Sequence, residues 1–300
     1  MTINKIADLP AVKRRTVIIN VNTKWVTTLA LLSALRYAQM PVLVIDCESK
    51  DGSGEYFEKL MKDYEFDFLT APLKPHGLTL DWLFKHISAE HVLLIDSDTE
   101  ILNRTILNIM DDTLDDPRIF GWGFIHGPEW LTKVQMGFDH EKFGLYQERM
   151  WMPFTMLNTA KIREALDAGF SFIDRTIYND FPPVPRLSKF LYSRFRHERW
   201  VRSRLIFLNP FRRTFYNAKP SYVCCDTGAD IFQHLRYERD YLFVGFQAAV
   251  HDKYISHFHG VTRRILNSQD ANSTSIDTVW NAILTRLREE YGIAVPSDGK

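Results

Sequence analysis

Two hydrophobic periods alternate along the first half of the chain. Continuous apolar runs at Val17-Ile18-Ile19, Val42-Leu43-Val44-Ile45, 66–69, His91-Val92-Leu93-Leu94-Ile95 and 119–125 each read as a buried strand. Between them, apolar residues recur at helical spacing. Leu29, Leu32 and Leu35 mark a helix over 25–37, and further helices are expected over 55–64, 80–86 and 105–114. The turn residues Asp51-Gly52-Ser53-Gly54 make 47–54 a loop. Strands that alternate with helices in this way predict βαβ units, a mainly parallel sheet and helices on both of its faces. Such sheets bind ligands beyond the carboxyl ends of their strands. Asp46 and Asp96 fall at those ends.

The second half is less regular. A strand is expected over 150–157, running into a helix over 159–168. Pro-rich 180–185 looks like a boundary. Further on, strands are expected at 221–225 and 254–258, a helix up to Leu235, and a final helix over 276–291 with Val279, Trp280, Ile283 and Leu287 on one face.

With 300 residues, 45% hydrophobic and 25% charged, the chain has an ordinary globular composition and length enough for one large domain or two packed ones. The three cysteines, Cys47, Cys224 and Cys225, are an odd number with two adjacent. That excludes a disulfide framework and favours a reducing, cytosolic compartment. Residues 1–15 lack the apolar core of a signal peptide, and no apolar run approaches the roughly 18 residues needed to span a bilayer.

Net charge is zero, but it is unevenly spread. Residues 1–150 carry 16 basic and 22 acidic side chains. Between Arg186 and Arg213 stand nine Lys or Arg and one acid, Glu198. The zero therefore sums an acidic body and a strongly basic segment.

Several nucleotide and hydrolase signatures are absent. No G-x-G-x-x-G follows the first strand, and there is no G-x-x-x-x-G-K-[ST], no G-x-S-x-G and no paired C-x-x-C. What remains is Asp96-Ser97-Asp98 at the end of the strongest strand. Two carboxylates at a sheet's carboxyl edge make a site for a hard cation that takes phosphate oxygens as further ligands. The alternative is a helix cap at Asp98 or Thr99.

The two loop sequences together, VLVIDCESKDGS over 42–53 and HVLLIDSDTEIL over 91–102, resemble the family 2 inverting glycosyltransferases of the GT-A fold. The resemblance covers 16–114 and extends to the rest in outline. It implies one GT-A domain, with 1–125 as the nucleotide-sugar-binding half and 126–300 as the acceptor-binding half, the latter carrying a basic amphipathic insertion at about 183–213. By that resemblance Asp46 contacts the nucleobase, Glu48 and Asp51 shape its pocket, and Asn22 and Gly77 line it. Asp98 reaches a Mn²⁺ or Mg²⁺ ion bridging the donor diphosphate, and Asp96 contacts the ribose or waters around the metal. The family places its general base at a helix start after the main sheet. Cys224-Cys225-Asp226-Thr227-Gly228-Ala229-Asp230 fits, with Asp226 as the base and Asp230 as the second candidate; a plain helix cap at Asp226 is the alternative reading. A late histidine often completes the metal site, and Tyr254-Ile255-Ser256-His257-Phe258-His259-Gly260 offers two, with His259 preferred over His257. Tyr146 and Trp151 stand where the acceptor would be received, although aromatic residues are as readily core.

The implied partners are a nucleoside-diphosphate sugar donor and a glycan or lipid-linked glycan acceptor, without nucleic acid. The basic segment read as a helix places Leu187, Phe190, Leu191 and Phe195 on one side, with Arg196, Arg199 and Arg204 mainly opposite. Such a helix lies in an anionic membrane surface, at the inner face of the membrane, or covers the protein's own core.

Overall fold

The computed structural model describes residues 2–126, 149–178, 222–246, 251–258, 261 and 273–295. The basic segment 186–213 lies outside them.

The elements follow the hydrophobic pattern closely through the first half. They run β1 (Val12–Asn20), α1 (Lys24–Tyr37), β2 (Val42–Asp46), α2 (Ser53–Leu60), β3 (Asp67–Thr70), α3 (His76–His86), β4 (Ala89–Asp96), β5 (Thr99–Ile101), α4 (Thr105–Asp111) and β6 (Ile119–His126). The second half supplies β7 (Arg149–Asn158), α5 (Thr159–Asp167), β8 (Arg175–Tyr178), β9 (Tyr222–Cys225), α6 (Ala229–Gln233), β10 (Leu242–Phe246), α7 (His251–Tyr254), β11 (Ile255–His257) and α8 (Ser273–Tyr291). A π-helical turn, His234–Glu238, continues α6.

Seven strands form one sheet in the order β10-β6-β7-β4-β1-β2-β3. It is mainly parallel: β3, β2, β1 and β4 run together and β10 runs with β6, while β7 lies antiparallel to both β4 and β6. Side chains alternate between the two faces, as the pleat requires. Val17, Leu43, Ile45, Val92 and Leu94 pack with Leu83 and Phe84 of α3, Ile162 of α5 and Phe232 of α6. Their neighbours Ile18, Val44, Leu93 and Ile95 pack on the other face, with Ala30 and Leu31 of α1, Phe57 of α2 and Leu107 of α4. Both faces are thus covered, which explains why these strands read as continuous apolar runs. The outer side of α1, with Trp25, Leu29 and Leu32, is covered in turn by Ile283, Leu284 and Leu287 of α8.

Chain direction across the sheet reverses at β1. From β1 the chain steps outward to β2 and β3, then returns to place β4 on the opposite side of β1. A crevice opens beyond the carboxyl ends of strands at such a reversal. The register aligns those ends: Asn20 pairs with Asp46, and Ile19 with Asp96.

Two short ribbons lie outside the main sheet. β5 pairs antiparallel with β11, and β8 with β9. No helix among the described residues is long and apolar enough to cross a membrane.

Candidate active site

One side of the crevice is a knot of hydrogen bonds between the loops that leave β1 and β2. Asn20, fully buried at the end of β1, donates from Nδ2 to Asp46 Oδ1 at 2.5 Å and to Ser49 Oγ at 3.0 Å. Its carbonyl oxygen accepts from the hydroxyls of Thr23 and Thr27. Asp46 also accepts from the Ser49 backbone N–H. Asn22 accepts from the Lys50 N–H at 2.6 Å, and its own N–H donates to Ser49 Oγ. Asp51 accepts from the Lys24 N–H, the first of α1, and from the backbone and hydroxyl of Ser53. It therefore caps α1 from a distance, since the residue before that helix, Thr23, makes no side-chain cap bond. Glu48 accepts from the Leu73 N–H. Asn22 and Glu48 both hold positive φ, 53° and 50°, a conformation that Asn adopts readily and that Glu seldom adopts.

Asn22, Asp46, Glu48 and Asp51 thus all stand in or beside these two loops. Asp46 is buried beneath the loop that it ties down. Gly77, in the first turn of α3, meets the backbone of Phe172 and Ile173. A Cβ there would lie 2.6 Å from Ile173 Cα and from Phe172 O.

Next to this knot, beyond β4, Asp96, Asp98 and His257 each present a ligand atom within 4.8 Å of the others. His257 Nε2 lies 3.2 Å from Asp98 Oδ1. The ribbon makes the juxtaposition: β11 pairs His257 with Thr99, and the Phe258 N–H donates to the Asp98 carbonyl at 2.9 Å. Two carboxylates and an imidazole converging in this way can hold a divalent cation. Of the two candidate histidines, His257 joins the cluster, because the pairing with Thr99 sets it across from Asp98. His259 lies outside the described residues.

Burial pushes the Asp96 carboxyl up from its ordinary pKa. The nearby charges of Asp98 and Asp226 act in the same direction, and His76 and His257 oppose them. The sequence reading missed His76. It is the exposed first residue of α3 and carries no periodic or motif signal.

Asp226 follows β9. Its Oδ1 accepts from the Thr227 N–H at 2.8 Å, and its Oδ2 lies 3.1 Å from Arg149 Nη2. The residue at the cap position of α6 is Gly228, at φ 80°, and the Asp226 carboxylate instead accepts from the Thr227 N–H ahead of the helix. Asp226 is therefore not the plain cap offered as its alternative reading. The Gly228 N–H donates to the Phe172 carbonyl, so one short segment braces both Gly77 and the Asp226 turn. Asp230 sits in the first turn of α6. Trp151 is 7% exposed and packs edge-on against His257 at 5.0 Å and Phe124 at 5.8 Å, backing the cluster. Tyr146 lies outside the described residues.

No protein-family model matches the sequence, and no curated protein matches it. Among solved structures, the chain is similar to S. aureus TarS 1–349 in complex with UDP-GlcNAc at 19% identity and TM-score 0.38, over 54% of this chain and 48% of that one. It is similar to the mannosyltransferase PcManGT from Pyrobaculum calidifontis, in complex with GDP-Man and Mn²⁺, at 14% identity and TM-score 0.40, over 54% and 47%. The apo form of mouse xyloside xylosyltransferase 1 matches at 12% identity and TM-score 0.42, over 79% and 86%. The chain spans about half the length of the first two.

Proposed function

We propose that this chain is a metal-dependent glycosyltransferase of GT-A type that transfers a sugar from a nucleoside-diphosphate donor with inversion. One observation carries the reading: Asp96, Asp98 and His257 converge at the carboxyl end of β4, where the sheet reverses, beside the loop knot of Asn22, Asp46, Glu48 and Asp51. A nucleoside diphosphate needs both halves of that arrangement, a walled pocket for its base and ribose and a cation for its phosphates. The oxygen-rich donor set suits Mg²⁺ or Mn²⁺, and the single imidazole favours Mn²⁺. When bound, the ion supplies charge stabilisation to the leaving diphosphate.

The chain's own residues do the rest. Asp98 and His257 would hold the ion, and Asp96, beside them, would orient the ribose. Asp226 takes the proton of the acceptor hydroxyl as that oxygen attacks from the opposite face of the sugar. Arg149, at 3.1 Å, fixes the direction in which the Asp226 carboxylate points. The acceptor in this reading is a glycan or a lipid-linked glycan.

The test is a panel of UDP-, GDP-, dTDP- and CMP-sugars, scored for Mn²⁺-dependent binding and slow hydrolysis with and without EDTA. At least one donor should respond and lose its response to EDTA; silence across the panel would overturn the reading. Asp98→Ala should abolish metal-dependent donor binding. Asp226→Asn should leave donor binding intact and lower transfer at least about 100-fold, the lower range for general-base catalysis. Loss of both in Asp226→Asn would assign Asp226 to structure instead.

A further inference from the structure

The metal-binding residues do not all sit on the seven-stranded sheet. Asp98 leads into β5 and His257 ends β11, and these two form a separate ribbon of three residue pairs. A two-stranded ribbon this short is marginal by itself, so something else must hold it in register. Part of the answer is apolar and local: Ile101 and Ile255 are fully buried, and the Ile101 N–H donates to Ser33 Oγ of α1 at 3.0 Å.

The other part is ionic. Glu100, the central residue of β5, is 1% exposed and turns its carboxylate toward the last helix of the described chain. Arg286 Nη2 of α8 lies 3.1 Å from Glu100 Oε1, and the Tyr291 hydroxyl lies 3.5 Å from the same oxygen. Arg286 is itself oriented by Glu290 at 3.3 Å, one turn along the helix, and Arg36 of α1 stacks on the Tyr291 ring. A buried carboxylate is tolerated only where a partner faces it, and removing one member of such a pair is far more disruptive than never having had it. Glu100 is two residues from Asp98, and its neighbour Thr99 pairs with His257. Any shift at Glu100 is therefore passed directly to both ligands.

We infer that Arg286 is a positioning residue for the metal site: through Glu100 it locks the β5–β11 ribbon onto α8 and so sets the distance between Asp98 and His257. This inference rests on the metal-site reading above. It makes α8 part of the binding machinery as well as a cover for α1. Residues that orient metal ligands from behind typically change metal affinity about 10- to 100-fold when replaced.

The experiment measures Mn²⁺ binding to the full chain at pH 8, by the loss of the free-ion electron paramagnetic resonance signal, with no sugar donor present. A thermal melt on each variant accompanies it. Arg286→Met should weaken Mn²⁺ binding about tenfold at a temperature where the protein is folded, and Arg286→Lys should recover most of that loss. Glu100→Gln, whose amide oxygen still meets Arg286, should bind within about twofold of the parent chain. The double variant Glu100→Leu/Arg286→Met leaves no buried orphan charge and so should fold. It should show the same tenfold loss, because the ribbon is no longer keyed to the helix.

Unchanged affinity in the folded Arg286→Met or double variant would overturn the inference, as would a Glu100→Gln defect as large as that of Arg286→Met, which would make the charge itself responsible. Absence of Mn²⁺ binding in the parent chain would overturn the metal-site reading together with the inference. Binding in the parent and equally in every variant would overturn the inference alone.

Discussion

Asn20 ends β1 with a fully buried carboxamide that donates to Asp46 and Ser49 and accepts from Thr23 and Thr27. Every polar atom of the side chain is used, so the two loops it joins have one arrangement. Asn20→Asp would set a second carboxylate against Asp46, with no ion pair to either position among the described residues. A loss of about 3 kcal/mol in urea unfolding at neutral pH is expected. Gly77→Ala should cost about 1–3 kcal/mol by the same measurement, because the new methyl meets backbone atoms of Phe172 and Ile173 that no rotamer change can move. At this scale the sequence reveals residues whose position is set by a strand. Asp46, Asp96 and Asp98 are legible because apolar runs deliver them to the sheet's end. His76 and Arg149 are not, because no apolar run or motif singles them out, while Asn20, delivered by β1 in the same way as Asp46, is a polar residue whose partners only the fold reveals.

The elements show the same division. β1, β2 and β4 are visible as continuous apolar runs because both of their faces are buried, and α1 shows a helical period although it is buried on its outer side as well as against the sheet. β1 nonetheless begins at Val12, earlier than its apolar run, because Arg15 is buried and paired with Asp67 of β3. No periodic signal marks the ribbon strand β5, for its pattern Thr99-Glu100-Ile101 mixes a buried charge with a buried aliphatic residue. That charge has a measurable consequence. Burial pushes the Glu100 carboxyl up to about 7, with Glu290 adding to the shift and Arg286, Tyr291 and Arg36 opposing it. The folded protein therefore holds this proton more tightly than the unfolded chain. Stability attributable to Glu100 should be greatest below about pH 4.5 and fall as pH rises to about 7. Thermal midpoints taken across that window should decline less in Glu100→Gln than in the parent chain. α5 offers a simpler check: Asn158 caps it by accepting from the Lys161 N–H at 3.1 Å, and Asn158→Ala should cost about 1 kcal/mol.

Over the whole molecule, the alternation of strand and helix specified a mainly parallel sheet covered on both faces. It did not specify that β7 would insert antiparallel between β4 and β6, because strand direction in the second half depends on long connections with no periodic signal. A ligand that binds only the folded form stabilises the entire fold, by about 2.7 kcal/mol at one hundred times its dissociation constant. Mn²⁺ should therefore raise the melting temperature, EDTA should reverse the rise, and Asp98→Ala should show neither effect. The ribbon also has a bearing on how the protein comes into being. Thr99 and His257 face each other across about half of the chain's length, so their pairing closes a long loop. Contacts of that separation form late, after the local βαβ units have already collapsed. On a ribosome adding roughly 5–20 residues per second, the Asp98 side of the site is made well before its histidine exists. Cation capture should consequently be the last step of maturation, and the acquisition of Mn²⁺ affinity during refolding should trail the recovery of sheet structure.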